Sequence, residues 1–442
     1  MPKQISKIML IMPNFNWRVH TDVKKDPPMG ILYIASCLES LGYSVGVVDA
    51  HAEDLTIDDV ITKIKQQQPQ IIGISCNYAP LHNITTDLCG RIKSENKNIV
   101  TVVGGNHASA SYRSLLESCR DIDYVVLGQG EYIFPSLIRS LNEPVQYGKG
   151  VSGVNGIAYM EDGVVYRTPG APIINNLDEL PMPAYHLVDM SKYDRYNVII
   201  SRGCPFQCNY CASNVITKHH VKYRAPKYVA NEIKYVLSKY GTKPIWFSDD
   251  TFTANKKIVD ELLDRIIDMN IGVEWSCLTR VNTTPIDVLK KMKKAGCKYI
   301  SYGVESGNDE MLKLMNKKIT IQNVEKVLED TKSVGIDMYL FFIVGYPGDT
   351  KEMEDDSLRL IERLCPTGVG YNIFIPLPGT PSWKYLEEKG LVRFDTIEWD
   401  KLFARVSWDE HDDYTAKLAS TWCNISPEDI IEICNKGTNM CK

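Results

Sequence analysis

Cys204, Cys208 and Cys211 fall in the stretch SRGCPFQCNYCASN (201–214), at a CxxxCxxC spacing. Three thiols this close can bind zinc, hold an iron–sulfur cluster, or do neither. A structural zinc site closes with four ligands, usually as two short pairs. No fourth cysteine follows here, and His219 and His220 are the residues that could complete such a site. Packing alone is the weaker account, because Gly203, Pro205 and Asn209 make the segment a loop rather than a core element. A cubane held by three cysteines keeps one iron without a protein ligand. An open iron is a binding position, so the spacing favours a [4Fe–4S] centre suited to catalysis.

The other ten cysteines are scattered, and Cys423, Cys434 and Cys441 lie too far apart for a second cluster. Cys76, ending the apolar run IIGISC, is typical of the rest: small buried hydrophobes. A disulfide framework is not expected in a chain of 442 residues whose Met1-Pro2-Lys3 start has no apolar signal core behind it. No apolar run reaches the ~18 residues of a membrane span, so a cytoplasmic location and no membrane partner are expected. With 44% hydrophobic and 24% charged residues and a net charge of -5, the composition is that of a globular protein without a nucleic-acid surface.

The loop follows the apolar run Val198-Ile199-Ile200, the first of a series. NVIIS, PIWFSDD, VEWSCLTR, KYISYGVES, DMYLFFIVGYP and GYNIFIP read as strands, and helices are expected over 226–240, 256–270, 285–295, 308–316, 320–334 and 350–364. Pro226 and Pro285 sit where a first helical turn tolerates proline, and Gly241, Gly296 and Gly335 sit just past helix ends. Six β/α units predict a partial barrel rather than a closed one of eight.

Residues 5–141 alternate in the same way: KIMLIM, SVGVVD, QIIGISC, NIVTVVGG and DYVVLG are separated by amphipathic helices. Continuous β-branched strands imply a parallel sheet covered on both faces. Such a doubly wound, Rossmann-like domain binds its ligand at the strands' carboxyl ends. GIAYMEDGVVYRTP predicts a hairpin turning at Asp162-Gly163. The fold class is therefore α/β, with domains at 1–145 and 196–390, a linker with a hairpin at 146–195, and a small C-terminal region at 391–442.

CPFQCNYC at the end of the first barrel strand resembles the signature of radical S-adenosylmethionine (SAM) enzymes, including the aromatic Tyr210 before the last cysteine. In that family the open iron chelates SAM, and reduction yields a 5′-deoxyadenosyl radical. The remaining strand ends resemble the family in order. FSDDTF is similar to the segment that contacts the SAM amino group, implying Asp249 and Asp250. LTRVN implies Arg280 as a basic SAM contact, and YGVESGND implies Glu305 and Ser306 near the ribose. FIVGYPGDT implies Gly345 in the segment lining the adenine, and IPLPGTP resembles the segment after the sixth strand. Taken singly, Asp249-Asp250 also fits a helix cap and Glu305 a surface ion pair.

The first domain resembles the cobalamin-binding (B12) domain of one large class of these enzymes. PPMGILYIASCLESLGYSVGVVDA, VVGGNHAS and VLGQGE carry the likeness. It implies cobalamin contacts from Ser75, Gly104, Gly105, Gly128, Gly130 and Glu131. Glycines there let backbone approach a bulky ligand, and the following helices offer N-terminal donors. A degenerate domain without ligand is the bland alternative, and no G-x-G-x-x-G supports a dinucleotide. Cobalamin-dependent mutases and methionine synthases supply a cobalt ligand from D-x-H-x-x-G. Here DAHAED has Asp54 in the glycine position and follows the second strand, so His51 reads as a loop histidine and no protein histidine on cobalt is expected. His20 is the rival candidate.

The resemblance implies a cobalamin-dependent radical SAM methyltransferase. One SAM methylates cobalamin; a second, on the [4Fe–4S] cluster, gives the radical that activates an unactivated substrate carbon to accept the methyl from methylcobalamin. The alternatives are the same machinery performing cyclisation, oxidation or rearrangement, or a first domain that binds a partner or substrate instead of cobalamin. A small-molecule or peptide substrate and an external one-electron reductant of the flavodoxin or ferredoxin type are implied partners.

Overall fold

The computed structural model describes residues 5–15, 25–143, 150–170, 173–218, 220–270, 272–404 and 414–441. His20 and His219 lie outside the described residues. The chain forms two compact units, one of residues 1–194 with 394–400, the other of 195–393 with 401–442.

In the first unit, β1 (Lys7–Met12), β2 (Ser44–Asp49), β3 (Ile71–Ser75), β4 (Val100–Gly104) and β5 (Tyr124–Val126) pair in parallel in the order β2-β1-β3-β4-β5. Alternation along each strand serves two cores. Met9, Ile11, Ile72, Ile74 and Val103 face one layer of helices, and Ile8, Leu10, Ile71 and Val102 face the other. This order reverses direction between β1 and β3, which opens a crevice at their carboxyl ends.

The expected hairpin forms as β6 (Ile157–Glu161) and β7 (Val164–Arg167), with Asp162 and Gly163 at φ 48° and 80°, the both-positive turn that suits a two-residue connection. It is not a free linker. β6 adds antiparallel to β5, so the sheet has seven strands, because Ile157 and Ala158 are fully buried there.

In the second unit, β8 (Tyr196–Val198) and a short antiparallel pair, β9 (Ser201–Arg202) with β10 (Lys222–Tyr223), precede β11 (Ile245–Phe247), β12 (Trp275–Thr279), β13 (Cys297–Glu305), β14 (Asp337–Val344) and β15 (Gly368–Ile373). The six-stranded parallel sheet runs β8-β11-β12-β13-β14-β15 and ends at β8 and β15, an open partial barrel as expected from the six units. Several of its helices begin at side-chain caps, among them Asn255, Asn308, Thr320 and Thr350. NVIIS, expected as one strand, is split. Asp249 takes the amides of Ile200 and Ser201 out of the ladder.

The C-terminal residues are not a separate layer. Helix Pro427–Asn439 lies on β15 and contributes Ile430, Ile433 and Cys434 to the barrel core.

Candidate functional site

The cysteine loop leaves the carboxyl end of β8 and is fastened on several sides. Gly203 holds φ +93°, and a Cβ there would collide with the His220 carbonyl. Asn209 donates through its backbone N to the Met315 carbonyl at 3.0 Å and through Nδ2 to the Leu314 carbonyl at 2.9 Å. Asn316 Nδ2 returns a bond to the Gln207 carbonyl at 2.5 Å.

Cys204 and Cys208 are buried, and burial, with the charges of Asp250, Cys208 and Cys204 adding to it, pushes the Cys211 thiol up to about 12 against the opposing backbone bond from Ser213. A thiol held that high gives up its proton when a metal takes the sulfur. Among the described residues no three His, Cys, Asp or Glu side chains converge on one point, as a single-ion site needs; a cubane takes each thiolate on a different iron. Cys204 Sγ lies 3.3 Å from Thr251 Oγ1. Arg280 Nη1 donates to Cys208 Sγ at 3.1 Å, and its guanidinium rests 4.0 Å from the Phe206 ring centre. Three thiolates on a cubane make an anionic group, so a buried arginine on one sulfur fits it. The residues present fit a [4Fe–4S] centre.

Asp249 and Asp250, expected side by side toward one ligand, are divided. Asp249 is buried and turned inward. It accepts from Ile200 N at 3.1 Å, Ser201 N at 2.5 Å and Ser201 Oγ at 2.6 Å. Burial still outweighs those bonds and pushes its carboxyl up to about 7. Asp250 is exposed and accepts from Ser213 Oγ at 2.6 Å, which leaves it as the carboxylate of the pair open to a cation.

Glu305, at the end of β13, is joined to the cysteine loop. Tyr210 Oη donates to Glu305 Oε1 at 2.9 Å, and Lys317 Nζ donates to the same oxygen at 2.7 Å. Ser306 is buried, and its Oγ accepts from Asn308 N at 3.1 Å. Gly345 holds φ +77°; its amide donates to Asp349 Oδ2 at 2.8 Å and its carbonyl accepts from Trp422 Nε1 at 2.8 Å. A Cβ on Gly345 would meet the Ala419 Cβ at 3.0 Å, so the barrel's own packing accounts for this glycine. Beneath it sits a buried acid pair. Burial raises Asp349 to about 6 and, with the Asp349 charge, raises Glu354 well above its ordinary value; Tyr371 Oη donates to Glu354.

The first unit brings together the ends of β3, β4 and β5. Gly105, at φ +119°, is required by its neighbours, since a Cβ would lie 2.5 Å from Asn77 Oδ1 and 2.8 Å from the Cys76 carbonyl. Gly130 approaches Ile34 just as closely, whereas Gly104 has ordinary room beside Val126. Gly128 differs. It holds φ +103° with nothing within 4 Å of a would-be Cβ, and its amide donates to Ser109 Oγ at 3.0 Å. Open space at a strand end is what a bulky ligand needs, and the room beside Gly128 fits cobalamin. Ser75 Oγ accepts from Asn77 Nδ2 at 2.9 Å, and Glu131 is buried in the first turn of helix Gly130–Asn142.

His51 is 7% exposed and stacks flat on Phe15 at 4.0 Å. Burial, then the Lys25 charge, lowers its basicity. Sequence reasoning passed over a second histidine site. His107, inside the VVGGNHAS segment, and His82 share a 3.0 Å bond between Nε2 and Nδ1, and both rings contact Trp399. Burial lowers them to about 3 and about 4, so both are neutral near pH 7. Lys317, Thr251, Asp349 and Glu354 were also missed. Lys317, Thr251 and Glu354 have partners at other strand ends (Tyr210, Cys204 and Tyr371), which no local pattern marks, whereas Asp349 bonds within its own loop, to Gly345 and Thr350.

Residues 198–361 match the Radical SAM superfamily and residues 20–138 match the B12 binding domain. The chain is 32% identical over 404 residues to an uncharacterized methyltransferase of Pyrococcus horikoshii, covering 90% of this chain and 86% of that one. It is 29% identical over 394 residues to the anaerobic magnesium-protoporphyrin IX monomethyl ester cyclase of Rubrivivax gelatinosus, covering 87% and 70%. Among solved structures, the radical SAM methyltransferase TsrM from Kitasatospora setae, with cobalamin and a [4Fe–4S] cluster bound, superposes with a TM-score of 0.73 at 18% identity, over 87% of this chain and 78% of that one. At that identity the likeness is one of fold.

Proposed function

Because this chain belongs to the radical SAM superfamily and carries a B12 binding domain ahead of its barrel, we propose that it is a cobalamin-dependent radical SAM methyltransferase acting at an unactivated carbon of a small molecule or peptide. The observation that carries this reading is the loop of Cys204, Cys208 and Cys211 at the carboxyl end of β8, with Arg280 on one thiol and Tyr210 tied to Glu305. The name of the Pyrococcus horikoshii relative points to methyl transfer.

When bound, these groups supply radical hydrogen abstraction from the cluster with SAM and a methyl donor from cobalamin. The chain's own share is holding and orienting. The three cysteines would hold the cluster, and Arg280, bonded to Cys208 Sγ, would offset its negative charge. Asp250 would offer a carboxylate to the SAM ammonium, and Glu305 and Tyr210, bonded to each other at the end of β13, are assigned to the same cofactor. Ser75 and the open space at Gly128 would line the cobalamin face. No general base is required, in keeping with buried acids that are already committed: Asp249 to backbone, Glu305 to Lys317 and Tyr210, and Asp349 and Glu354 to each other.

The test is anaerobic reconstitution followed by turnover with methyl-deuterated SAM. About four irons per chain, an intact labelled methyl in the product, and equal amounts of deoxyadenosine and S-adenosylhomocysteine per product are expected. The cyclase relative favours one second reading: deoxyadenosine formed with no S-adenosylhomocysteine on the true substrate would assign a cyclisation, oxidation or rearrangement.

A further inference from the structure

Lys317 carries no motif, yet it is 3% exposed. A buried ammonium has to be paired. Its Nζ donates to Glu305 Oε1 at 2.7 Å and to Tyr210 Oη at 3.2 Å, closing a triangle with the Tyr210–Glu305 bond of 2.9 Å.

Four features make the triangle a built arrangement. Glu305 holds φ +75°, a left-handed backbone that is strained for a non-glycine residue. It sits beside the register shift between β13 and β14, a bulge of the kind that re-aims a side chain. Gly303 leaves the space, since a Cβ there would stand 3.0 Å from Lys317 Nζ. Finally, the turn that carries Lys317 is the one bonded to the cysteine loop by Asn209 and Asn316, and Arg280 Nη2 donates to the Lys317 carbonyl. One turn thus meets the cysteine loop, the arginine on Cys208 and the carboxylate after the fourth barrel strand.

We propose that Lys317 is a positioning residue for SAM: it balances the charge of Glu305 and pins Tyr210, the two side chains that the proposed function assigns to the cofactor. The proposal rests on that reading of the barrel. Without Lys317 the strained Glu305 would bury a carboxylate with no counter-charge, and its placement and charge toward SAM would change.

The test uses the full chain reconstituted anaerobically with iron and sulfide, with SAM affinity measured by equilibrium dialysis well below each variant's Tm. Lys317→Met should weaken SAM binding about ten-fold, with iron per chain at the wild-type level, because residues in one network couple strongly. In a Glu305→Gln background the same change should cost less than about two-fold, since the charge that Lys317 balances is gone. If Lys317→Met does not fold, Lys317→Arg, which keeps the charge but moves the donor off Tyr210, replaces it: a several-fold loss of SAM affinity at wild-type iron content is expected, and wild-type affinity overturns the proposal. Equal losses in both backgrounds, or no loss in either, overturn the proposal. Wild-type protein that takes up iron but does not bind SAM overturns the proposed function itself. That failure is distinct from one in which wild type binds SAM and the coupling is missing.

Discussion

A carboxylate that accepts from two successive amides and a hydroxyl, as Asp249 does at Ile200 and Ser201, braces the point where the chain leaves β8 for the cysteine loop. Replacing it with asparagine sets an NH₂ or a single oxygen against those donors, at a cost of about 1–3 kcal/mol. Asp249→Asn should therefore lower Tm. Asp250→Asn, exposed, should change stability by no more than about 0.5 kcal/mol while weakening SAM binding. Thermal melts alongside SAM dialysis check both, and equal Tm losses would contradict the division of the pair. Arg280 acts at the same scale. A guanidinium bonded to a thiolate stabilises added negative charge, and hydrogen bonds to sulfur tune cluster potentials. Arg280→Gln should keep iron uptake and lower the cluster's midpoint potential by on the order of tens of mV, read by redox titration with electron paramagnetic resonance.

At the scale of loops and helices, Gly203→Ala should disable the cysteine loop, because φ +93° and the His220 carbonyl both exclude a side chain. Reduced iron per chain after reconstitution is the expected result. The buried acids under the fifth-strand loop give a pH signature. Asp349 rises from 3.8 to about 6, and Glu354 rises well above 4.5, chiefly through burial. For acids raised in the folded state, the folded chain binds more protons than the unfolded one. Their contribution is therefore full below about pH 4 and is lost as pH climbs through 6 and beyond. Glu354→Gln, neutral at every pH, should flatten the Tm-versus-pH curve over that window and gain most on the alkaline side. A variant curve parallel to wild type would refute this. Caps, helix spans and the hairpin turn were legible in the sequence because their chemistry is local. The pairing of β6 with β5 and the break after Val198 were not, since each depends on a partner distant in sequence.

Across the whole chain, two α/β units were readable because uninterrupted apolar strands separated by amphipathic helices leave few other layer arrangements. The cysteine trio was readable from spacing alone. Its surroundings were not: Arg280 reaches Cys208 across 72 positions and Tyr210 reaches Glu305 across 95, distances that only the sheet order collapses. The C-terminal segment was the least legible, and it proves to be the barrel's last wall. Among the described residues no helix is long and apolar enough to cross a membrane. Removing residues 427–441 should uncover Tyr371 and the apolar face on which Ile430 and Ile433 sit, giving aggregated protein or a much lowered Tm. The same wall has a consequence in time. β15 emerges from the ribosome well before helix Pro427–Asn439, so its outer edge, where Tyr371 N meets Thr438 Oγ1 and Ile373 N meets the Ala404 carbonyl, stays uncovered while the rest is made. At ≈5–20 residues per second, the nascent barrel carries an unguarded strand for several seconds. Extra chaperone during expression should then raise the soluble fraction of the full chain, and an unchanged fraction would argue against an edge left open during synthesis.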